Sequence, residues 1–408
     1  MANPINPGDT AWLLVCCALV LLMTPGLAFF YGGMVRRKNI LSTLTLSFVF
    51  MALVGVQWVL YGYSLAFGPD IGGFIGGLNY LGLGGVGGAP NPDYAKTIPH
   101  GLFAAFQMMF AVITPALITG AFVERVRFKS FLLFSLIWVT LVYDPLAHWV
   151  WGKGGWLGAL GTLDFAGGTV VHIAAGYSAL AFALVIGPRK GFGKSPMEPH
   201  NITYTVLGTG LLWVGWFGFN AGSALAANGV AVNALLTTNT SAASAALVWM
   251  LLSWLDGRPS TLGIATGAVV GLAAVTPASG FVSPMAAMLI GAVAAPISYY
   301  AIKFRQNRHL DESMDVWACH GMASTWGMIA TGLFATMELN SGGANGLFYG
   351  NPSQLWVQLL AIVVTIVFTF GVTYVVAKLL DMSIGLRVSG MEEEVGLDIS
   401  GHGERAYS

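Results

Sequence analysis

Two histidines within apolar segments are the residues of this sequence best suited to chemistry. His172 and His320 each stand in a long apolar run, and each follows an acidic residue, Asp164 or Glu312, by eight positions. Ionisable groups in such segments are rare and usually face a bundle interior or a pathway. A neutral imidazole offers one hydrogen-bond donor and one acceptor to a small polar solute. A solute pathway is therefore the favoured interpretation, and core packing of each histidine is the alternative.

Aromatic residues in three apolar segments form a second group that could bind a ligand. Their rings could hold a desolvated ammonium-type cation over a π-face, an interaction worth about 0.5–2 kcal/mol. They could equally form an aromatic belt at a membrane surface or pack in a core. The residues are Phe106, Phe110, Trp149, Trp151, Trp156, Trp216, Phe217 and Phe219.

Charged residues flank these segments. Asp164 stands before the run that holds His172, which fits a helix N-cap and also a carboxylate that stabilises a cation through its field. Asp144 lies near the end of the preceding run, and Lys153, just beyond that end, is its expected partner. If this pair faces the solute, Lys153 weakens cation capture and Asp144 offsets the effect, both modestly because salt screens exposed charges.

The composition determines the setting of these residues. Of the 408 residues, 56% are hydrophobic and 9% charged, and the mean hydropathy is +0.72; a soluble chain would carry about 25% charged residues. The net charge of zero excludes a basic nucleic-acid-binding face. The three cysteines lack the spacing of a metal site, and no nucleotide-binding or nucleophile–base motif occurs. The sequence therefore predicts an all-α polytopic membrane protein that is not an enzyme and has no cofactor or metal.

Eleven segments are apolar enough to span a bilayer, which takes about 20 residues. Sixteen of the 18 Lys and Arg fall in loops on one side, and only Lys96 and Lys153 fall on the other. The positive-inside rule then puts the N-terminus outside and the C-terminus in the cytoplasm. The first positive charge, Arg36, follows the first apolar run, unlike the layout of a cleaved signal peptide. The segments are expected near 10–35, 41–67, 100–123, 130–151, 166–187, 201–224, 231–255, 261–280, 283–303, 315–337 and 353–380.

Eleven segments suggest two repeats of five and one additional C-terminal helix. The acid–histidine pairs 164/172 and 312/320 stand on segments that run in opposite directions, as an inverted repeat would place them. We expect residues 1–385 to form the transmembrane domain and residues 386–408 a cytoplasmic tail. The tail holds three consecutive glutamates and a glycine-rich run, with too little apolar surface for a core of its own.

The informative residues lie within phrases that cover both halves of the chain. In these phrases the chain resembles the ammonium transporter (Amt/Mep/Rh) family, and specifically its prokaryotic Amt branch. The phrases are PGLAFFYGGMVRRKN (25–39), YGYSLAFG (61–68), AFQMMFAVITPALITGAFVERVRF (105–128), LDFAGGTVVHI (163–173), GWFGFNAGSALAAN (215–228), VTPASG (275–280), DVWACHG (315–321) and GLRVSGMEEEVGLDISGHGERAY (385–407).

The resemblance implies a role for each matching residue. The roles are recruitment of ammonium at an outer site, a gate of two phenyl rings beneath it, a pore lined by two histidines, and a supporting carboxylate. The recruitment site is matched by Phe110, Trp151 and Ser223, and the gate by Phe110 and Phe219. The pore histidines are matched by His172 and His320, and the supporting carboxylate by Asp164. Lys153 departs from the family pattern, which requires no cation two residues after the recruiting tryptophan.

The resemblance also implies the assembly and the transport mode. The expected protein is a homotrimer in the cell membrane with one pore per subunit, and a PII signal protein closes its cytoplasmic face. Ammonium would lose a proton at the outer site and cross as ammonia, with net charge movement. Two alternatives are an ammonium sensor of low conductance and a cation-coupled amine symporter. The scarcity of acids within the segments argues against the symporter, and the roughly 25 residues after the last segment argue against the sensor.

Overall fold

Eleven apolar helical runs form the bundle within residues 5–407, the part of the chain that this computed structural model describes. Nine of them are long and apolar enough to cross a membrane, and the eighth and tenth complete the set. The predicted all-α membrane architecture is confirmed, and each run overlaps its predicted segment. Numbered one to eleven, the spans are Pro7–Met34, Arg37–Phe67, His100–Ala121, Phe128–Ala159, Gly168–Ile186, Ile202–Gly222, Gly229–Leu255, Thr261–Val275, Pro284–Asn307, Trp317–Phe334 and Pro352–Ser383.

Short elements interrupt or connect the spans. Two antiparallel hairpins pair Asp70–Ile71 with Ile75–Gly76 and Pro90–Asn91 with Ala95–Pro99. Four spans contain a π-helical stretch, a feature that is frequent at functional sites. These stretches are Trp58–Gly62, Val139–Tyr143, Gly168–Ile173 and Trp317–Met322. The short helices are Arg37–Asn39, Tyr63–Phe67, Leu78–Leu83, Thr119–Ala121, Asp144–Trp151, Trp156–Ala159, Leu347–Tyr349, Gly390–Val395 and Leu397–His402.

Glycines let the first spans of the two predicted repeats pack backbone to backbone. A Cβ atom added at Gly208 in span six would lie 2.3 Å from the backbone nitrogen of Phe30 in span one. One added at Gly33 would lie 2.4 Å from the Thr205 hydroxyl. Such close helix contacts are typical of membrane bundles, where small residues replace the hydrophobic effect as the means of association.

Spans five and ten, which carry the two histidines, cross at a second pair of glycines. A Cβ atom added at Gly176 would lie 2.3 Å from the backbone nitrogen of Gly321. Gly176 is one helical turn beyond His172, and Gly321 follows His320 directly. The crossing therefore brings the two imidazole-bearing stretches together inside the bundle.

A buried ion-pair network joins the loops at the end of the bundle that carries most of the positive charges, which we call the basic face (loops 35–38, 122–127, 187–201 and 308–316). The Glu124 carboxylate is fully buried and pairs with Arg36 at 3.0 Å and Arg189 at 2.9 Å. Arg189 also pairs with Asp311 at 2.8 Å. Burial disfavours ionisation of Glu124, but the two guanidinium groups outweigh it and hold its pKa below the ordinary value.

The C-terminal tail packs against the basic face of the same chain. The Asn39 side chain accepts a hydrogen bond from the Leu397 N–H at 2.8 Å, and Asp398 accepts one from the Ser42 N–H at 2.8 Å. Glu393, which is buried, pairs with Arg387 at 2.7 Å. The tail is therefore attached through polar contacts to the start of span two.

Replacing Glu124 by glutamine tests whether the buried network holds the basic face together. Glu124→Gln keeps the shape of the side chain but leaves the buried Arg189 and the partly exposed Arg36 without their shared counter-charge. We expect a loss of about 3–5 kcal/mol of stability, since breaking a buried pair leaves an uncompensated charge. The measurement is the melting temperature of the purified protein in detergent. Glu394→Gln, which removes the exposed partner of Lys190, is the control and should melt like the wild type.

The pH dependence gives a second readout for the same variant. Because the pKa of Glu124 is depressed in the folded state, its stabilisation is present above the ordinary carboxyl pKa and is lost as the pH falls. The wild-type melting temperature should drop as the pH falls from about 5 to about 3, and the Glu124→Gln protein should lose less over that range. Parallel curves would contradict a contribution from Glu124.

Candidate functional site

The two predicted histidines lie in contact within the bundle. The Nδ1 atoms of His172 and His320 are 3.3 Å apart, and the rings are nearly parallel, at 18°, with centroids separated by 5.3 Å. Both side chains are almost fully buried. This contact is a hydrogen bond when one Nδ1 carries a proton and the other does not, so the neutral rings have opposite tautomers. Within residues 5–407, no group of three or more His, Cys, Asp or Glu is arranged to hold a metal ion.

Asp164 fixes the start of the stretch that carries His172. Its carboxylate accepts hydrogen bonds from the backbone N–H groups of Gly167, Gly168 and Thr169, at 2.8, 2.6 and 2.8 Å, and from the Thr169 hydroxyl. These are the donors that a helix start leaves without partners. The geometry is that of the N-cap interpretation, and the carboxylate is directed to the backbone.

Glu312 has the matching position before His320. Its carboxylate is fully buried and accepts hydrogen bonds from the backbone N–H groups of Val316 and Trp317, the latter at 3.1 Å. Each π-helical stretch with a histidine therefore begins on a buried carboxylate. This is the similarity between the halves that an inverted repeat predicts.

Five rings follow one another in space from one face of the bundle into its interior, and the last two are the imidazoles of the histidine pair. Trp151 contacts Phe110 edge-on with centroids 6.0 Å apart, and Phe110 overlaps Phe219 at 4.2 Å and 33°. Phe219 lies 5.9 Å from His172, which contacts His320. We call this sequence the ring column. It brings together the residues that the resemblance had assigned separately to the gate and the pore.

A very small cavity of about 10 Å³ adjoins the two histidines. Its volume suits about one water-sized molecule. The Nε2 atom of His172 is buried and has no hydrogen-bond partner among the described residues. Apart from the two imidazoles and the indole of Trp216, the lining is aliphatic or phenyl: Met23, Leu27, Ile113, Leu117, Val171, Leu212, Phe219 and Val269.

A larger cavity of about 300 Å³, which we call the vestibule, opens at the other end of the ring column. Phe110, Trp151 and Ser223 all line it, so the three predicted recruitment residues lie together. The Trp151 indole N–H donates to the Asp164 carbonyl at 2.9 Å, which fixes the ring. The Ser223 hydroxyl donates to the Phe219 carbonyl at 2.8 Å, so its oxygen lone pairs remain free to accept a hydrogen bond from a ligand.

Three polar residues of the vestibule were not predicted from the sequence. Asp93, Tyr94 and Gln107 also line it, and the Gln107 amide oxygen is buried without a partner among residues 5–407. Gln107 could have been predicted from the sequence, because it is a polar residue inside an apolar span beside Phe106. Asp93 and Tyr94 lie in a loop, where no periodicity marks them.

The expected pairing of Asp144 with Lys153 is wrong. Asp144 is fully buried and accepts a hydrogen bond from Gln57 Nε2 at 2.7 Å, whereas Lys153 is mostly exposed and pairs with Asp93. Asp144 stands seven residues before Trp151 on the same helix, which puts it about 10 Å deeper at 1.5 Å per residue. Nearness in the sequence therefore does not bring it to the vestibule.

Comparisons with known proteins agree across almost the whole chain. A profile of the Ammonium Transporter Family matches residues 11–407. The chain is 52% identical to an ammonium transporter of Bacillus subtilis, over 98% of each chain, and 52% identical to the ammonium transporter Amt1 of Archaeoglobus fulgidus, over 99% and 100%.

Solved structures show the same fold. The chain matches the crystal structure of Saccharomyces cerevisiae Mep2 with a TM-score of 0.91 and 35% identity, covering 99% of this chain and 92% of that one. It also matches a structure described as a sensor Amt protein, with a TM-score of 0.87 and 28% identity, over 97% and 98% of the two chains.

Changing Asp164 tests its role in building the site. Asp164→Ala leaves three buried backbone N–H groups without an acceptor, at about 1–3 kcal/mol for each unsatisfied group. We expect a clear fall in the melting temperature, and a smaller one for Asp164→Asn, which keeps one acceptor oxygen. Asp381→Ala, which removes an exposed carboxylate with a single 3.2 Å bond, is the control. Equal melting temperatures for Asp164→Ala and this control would refute the anchoring role.

Proposed function

The chain belongs to the ammonium transporter family, and we propose that it conducts ammonia derived from ammonium across the cell membrane. The observation that carries this proposal is the ring column, which connects the vestibule to the small cavity at His172 and His320. By the positive-inside rule, the basic face is cytoplasmic and the vestibule is external.

Recruitment of ammonium takes place in the vestibule. The π-faces of Trp151 and Phe110 attract a cation, each contact being worth about 0.5–2 kcal/mol once water is displaced. The Ser223 hydroxyl oxygen accepts a hydrogen bond from one N–H group of the ion, because the hydroxyl hydrogen already points to the Phe219 carbonyl. The site thus replaces part of the hydration shell with π-faces and a hydroxyl oxygen.

Ammonium loses a proton before it enters the small cavity. An intact ion there would be desolvated among apolar groups without full compensation. Ammonium has a pKa of about 9, so release of its proton at neutral pH costs about 3 kcal/mol at about 1.36 kcal/mol per unit. The rings of Phe110 and Phe219, 4.2 Å apart, close the path at rest and must rotate to admit ammonia.

The proton follows by a separate step, and transport is therefore electrogenic. The 3.3 Å contact between the Nδ1 atoms of His172 and His320 provides one hydrogen bond along which a proton can move from ring to ring. When one neutral ring takes up a proton at Nε2 and passes its Nδ1 proton to the other ring, and that ring releases its own Nε2 proton, one proton has crossed and both rings are neutral with their tautomers reversed. Each ring must return to its first tautomer before a second proton can cross. No proton is created or lost in the cycle, since ammonia regains one on the cytoplasmic side.

A sensor of ammonium is the second candidate function, because the fold also matches the sensor Amt protein. A sensor would bind ammonium in the vestibule and carry little current. Current recorded from purified protein in bilayers on ammonium pulses, with and without sodium, separates this from transport and from a sodium-coupled symporter.

The tail and the assembly are further parts of the proposal. Residues 1–385 form the transmembrane domain of a homotrimer, and residues 386–408 form a regulatory tail that a cytoplasmic PII protein engages. In support, the tail accepts a hydrogen bond from the Lys190 N–H through Glu393, at 2.5 Å, and contacts the loop near Asn39. A partner that displaced the tail would thereby move loops attached to spans one and five.

Substitution of the two histidines distinguishes a pore from simple packing. His172→Gln and His320→Asn change the hydrogen bonds of the lining and leave room for water that the rings had excluded. We expect each variant to fold and either to lose the ammonium-driven current or to let potassium compete. The measurement is current on ammonium and potassium pulses, beside a melting curve, with exposed His309→Gln as control. If the double variant kept the wild-type current and the wild-type selectivity for ammonium over potassium, both histidines would have only a packing role.

Deletion of residues 386–408 tests the regulatory tail. The deletion removes the contacts of Glu393 with the loop after span five and of Leu397 and Asp398 with the start of span two, but none of the spans. We expect normal membrane insertion together with reduced transport or loss of inhibition by PII. Glu393→Gln, which keeps the tail and removes one charge, should give a weaker change of the same kind. Unchanged transport and unchanged PII inhibition in the deletion would rule out this role.

A further inference from the structure

A charged pair lies at the rim of the vestibule. Lys153 follows Trp151 by two residues, and its Nζ atom contacts a carboxylate oxygen of Asp93, which lines the same cavity as Trp151. The Lys153 side chain is 66% exposed and that of Asp93 is 38% exposed. The ammonium group of Lys153 thus already occupies the Asp93 carboxylate.

Asp93 is positioned by contacts that do not involve the lysine side chain. The Asn91 side chain accepts a hydrogen bond from the Asp93 N–H at 2.9 Å, within the turn of the second hairpin. The neighbouring Tyr94 ring stacks on Phe103 at 5.2 Å and 13°, and its hydroxyl accepts from the Lys153 N–H at 2.9 Å. The carboxylate therefore stays at the rim when the flexible lysine stem moves away.

We propose that Asp93 is an outer binding site for ammonium and small alkylammonium ions, and that Lys153 occupies it as a tethered competitor. The inference rests on the proposed function of the vestibule. The lysine head is a primary ammonium with three N–H donors, the same chemical group as the substrate. An arriving ion meets a neutral pair and must displace Nζ before it can use the carboxylate.

The field of the pair makes the proposal quantitative. With both residues present, their charges cancel at the rim. Without Lys153 the free carboxylate attracts cations to the vestibule, and without Asp93 the free lysine repels them. Interactions between exposed charges at this range are modest and are screened by salt, so we expect changes of about twofold to fivefold at low ionic strength.

A structural role for the pair makes a different prediction. If the contact only fastens the hairpin to the loop after Trp151, loss of either partner has the same consequence for the vestibule. The two single variants would then change capture in the same direction, and the double variant would resemble them. A field acting on the substrate requires opposite signs and cancellation in the double variant.

The test compares Lys153→Gln, Asp93→Asn and the double variant in a current assay at about 10 mM salt, where the Debye length is about 30 Å. The half-saturating ammonium concentration should fall about twofold to fivefold in Lys153→Gln, rise by a similar factor in Asp93→Asn, and return to the wild-type value in the double variant. Methylammonium should follow the same order. In about 1 M sodium chloride, where the Debye length is about 3 Å, the differences should vanish.

The control is the exposed pair Lys190 and Glu394 on the opposite face, where the same substitutions should leave the half-saturating concentration unchanged. If ammonium current persists but both single variants shift the half-saturating ammonium concentration in the same direction, or neither shifts it at low salt, the competitor role is overturned. Absence of current in the wild type counts against the proposed transport instead. In that case ammonium binding, followed by tryptophan fluorescence, must give the same order of dissociation constants for the competitor role to stand.

Discussion

The close crossing of spans five and ten is the constraint on which the candidate site depends. At Gly176 the two backbones approach so closely that an added methyl group would lie 2.3 Å from the backbone nitrogen of Gly321. Only at that separation do the imidazoles of His172 and His320 reach each other, at 3.3 Å. Each ring then supplies a hydrogen-bond partner that the apolar surroundings do not offer, which offsets part of the cost of burying them. The glycines and the histidines therefore form one unit.

The crossing also determines where the two helices begin. Both π-helical stretches start inside the bundle, where water cannot satisfy the first backbone N–H groups. Asp164 and Glu312 satisfy them as buried carboxylates, with three and two backbone donors. The eight-residue spacing between acid and histidine, visible in the sequence, thus separates the buried start of each helix from the point where His172 and His320 touch. A similarity between the two halves has a local physical cause.

The sequence predicted well what depends on composition and local order. Hydropathy located all eleven spans, and the matched acid–histidine pairs indicated an inverted repeat, while only the family resemblance put residues 172 and 320 in one pore. It failed where long-range geometry decides, because hydropathy gives neither the register of a span nor the path of a loop. Asp144 was assigned to Lys153 through nearness in the chain, although Gln57, 87 residues away, is its partner. Asp93, 60 residues from Lys153, carried no signal of its own.

The two faces of the bundle use ion pairs in different ways. On the basic face, Glu124, Arg189 and Asp311 are buried, so loss of any one leaves a buried charge with fewer partners. At the vestibule, Lys153 and Asp93 remain in contact with water, where a pair contributes little to stability and separates at little cost. A contact that opens readily can exchange one ammonium group for another, whereas a buried network can only hold its loops. The rim pair, unlike the buried network, can therefore exchange a partner without loss of the fold.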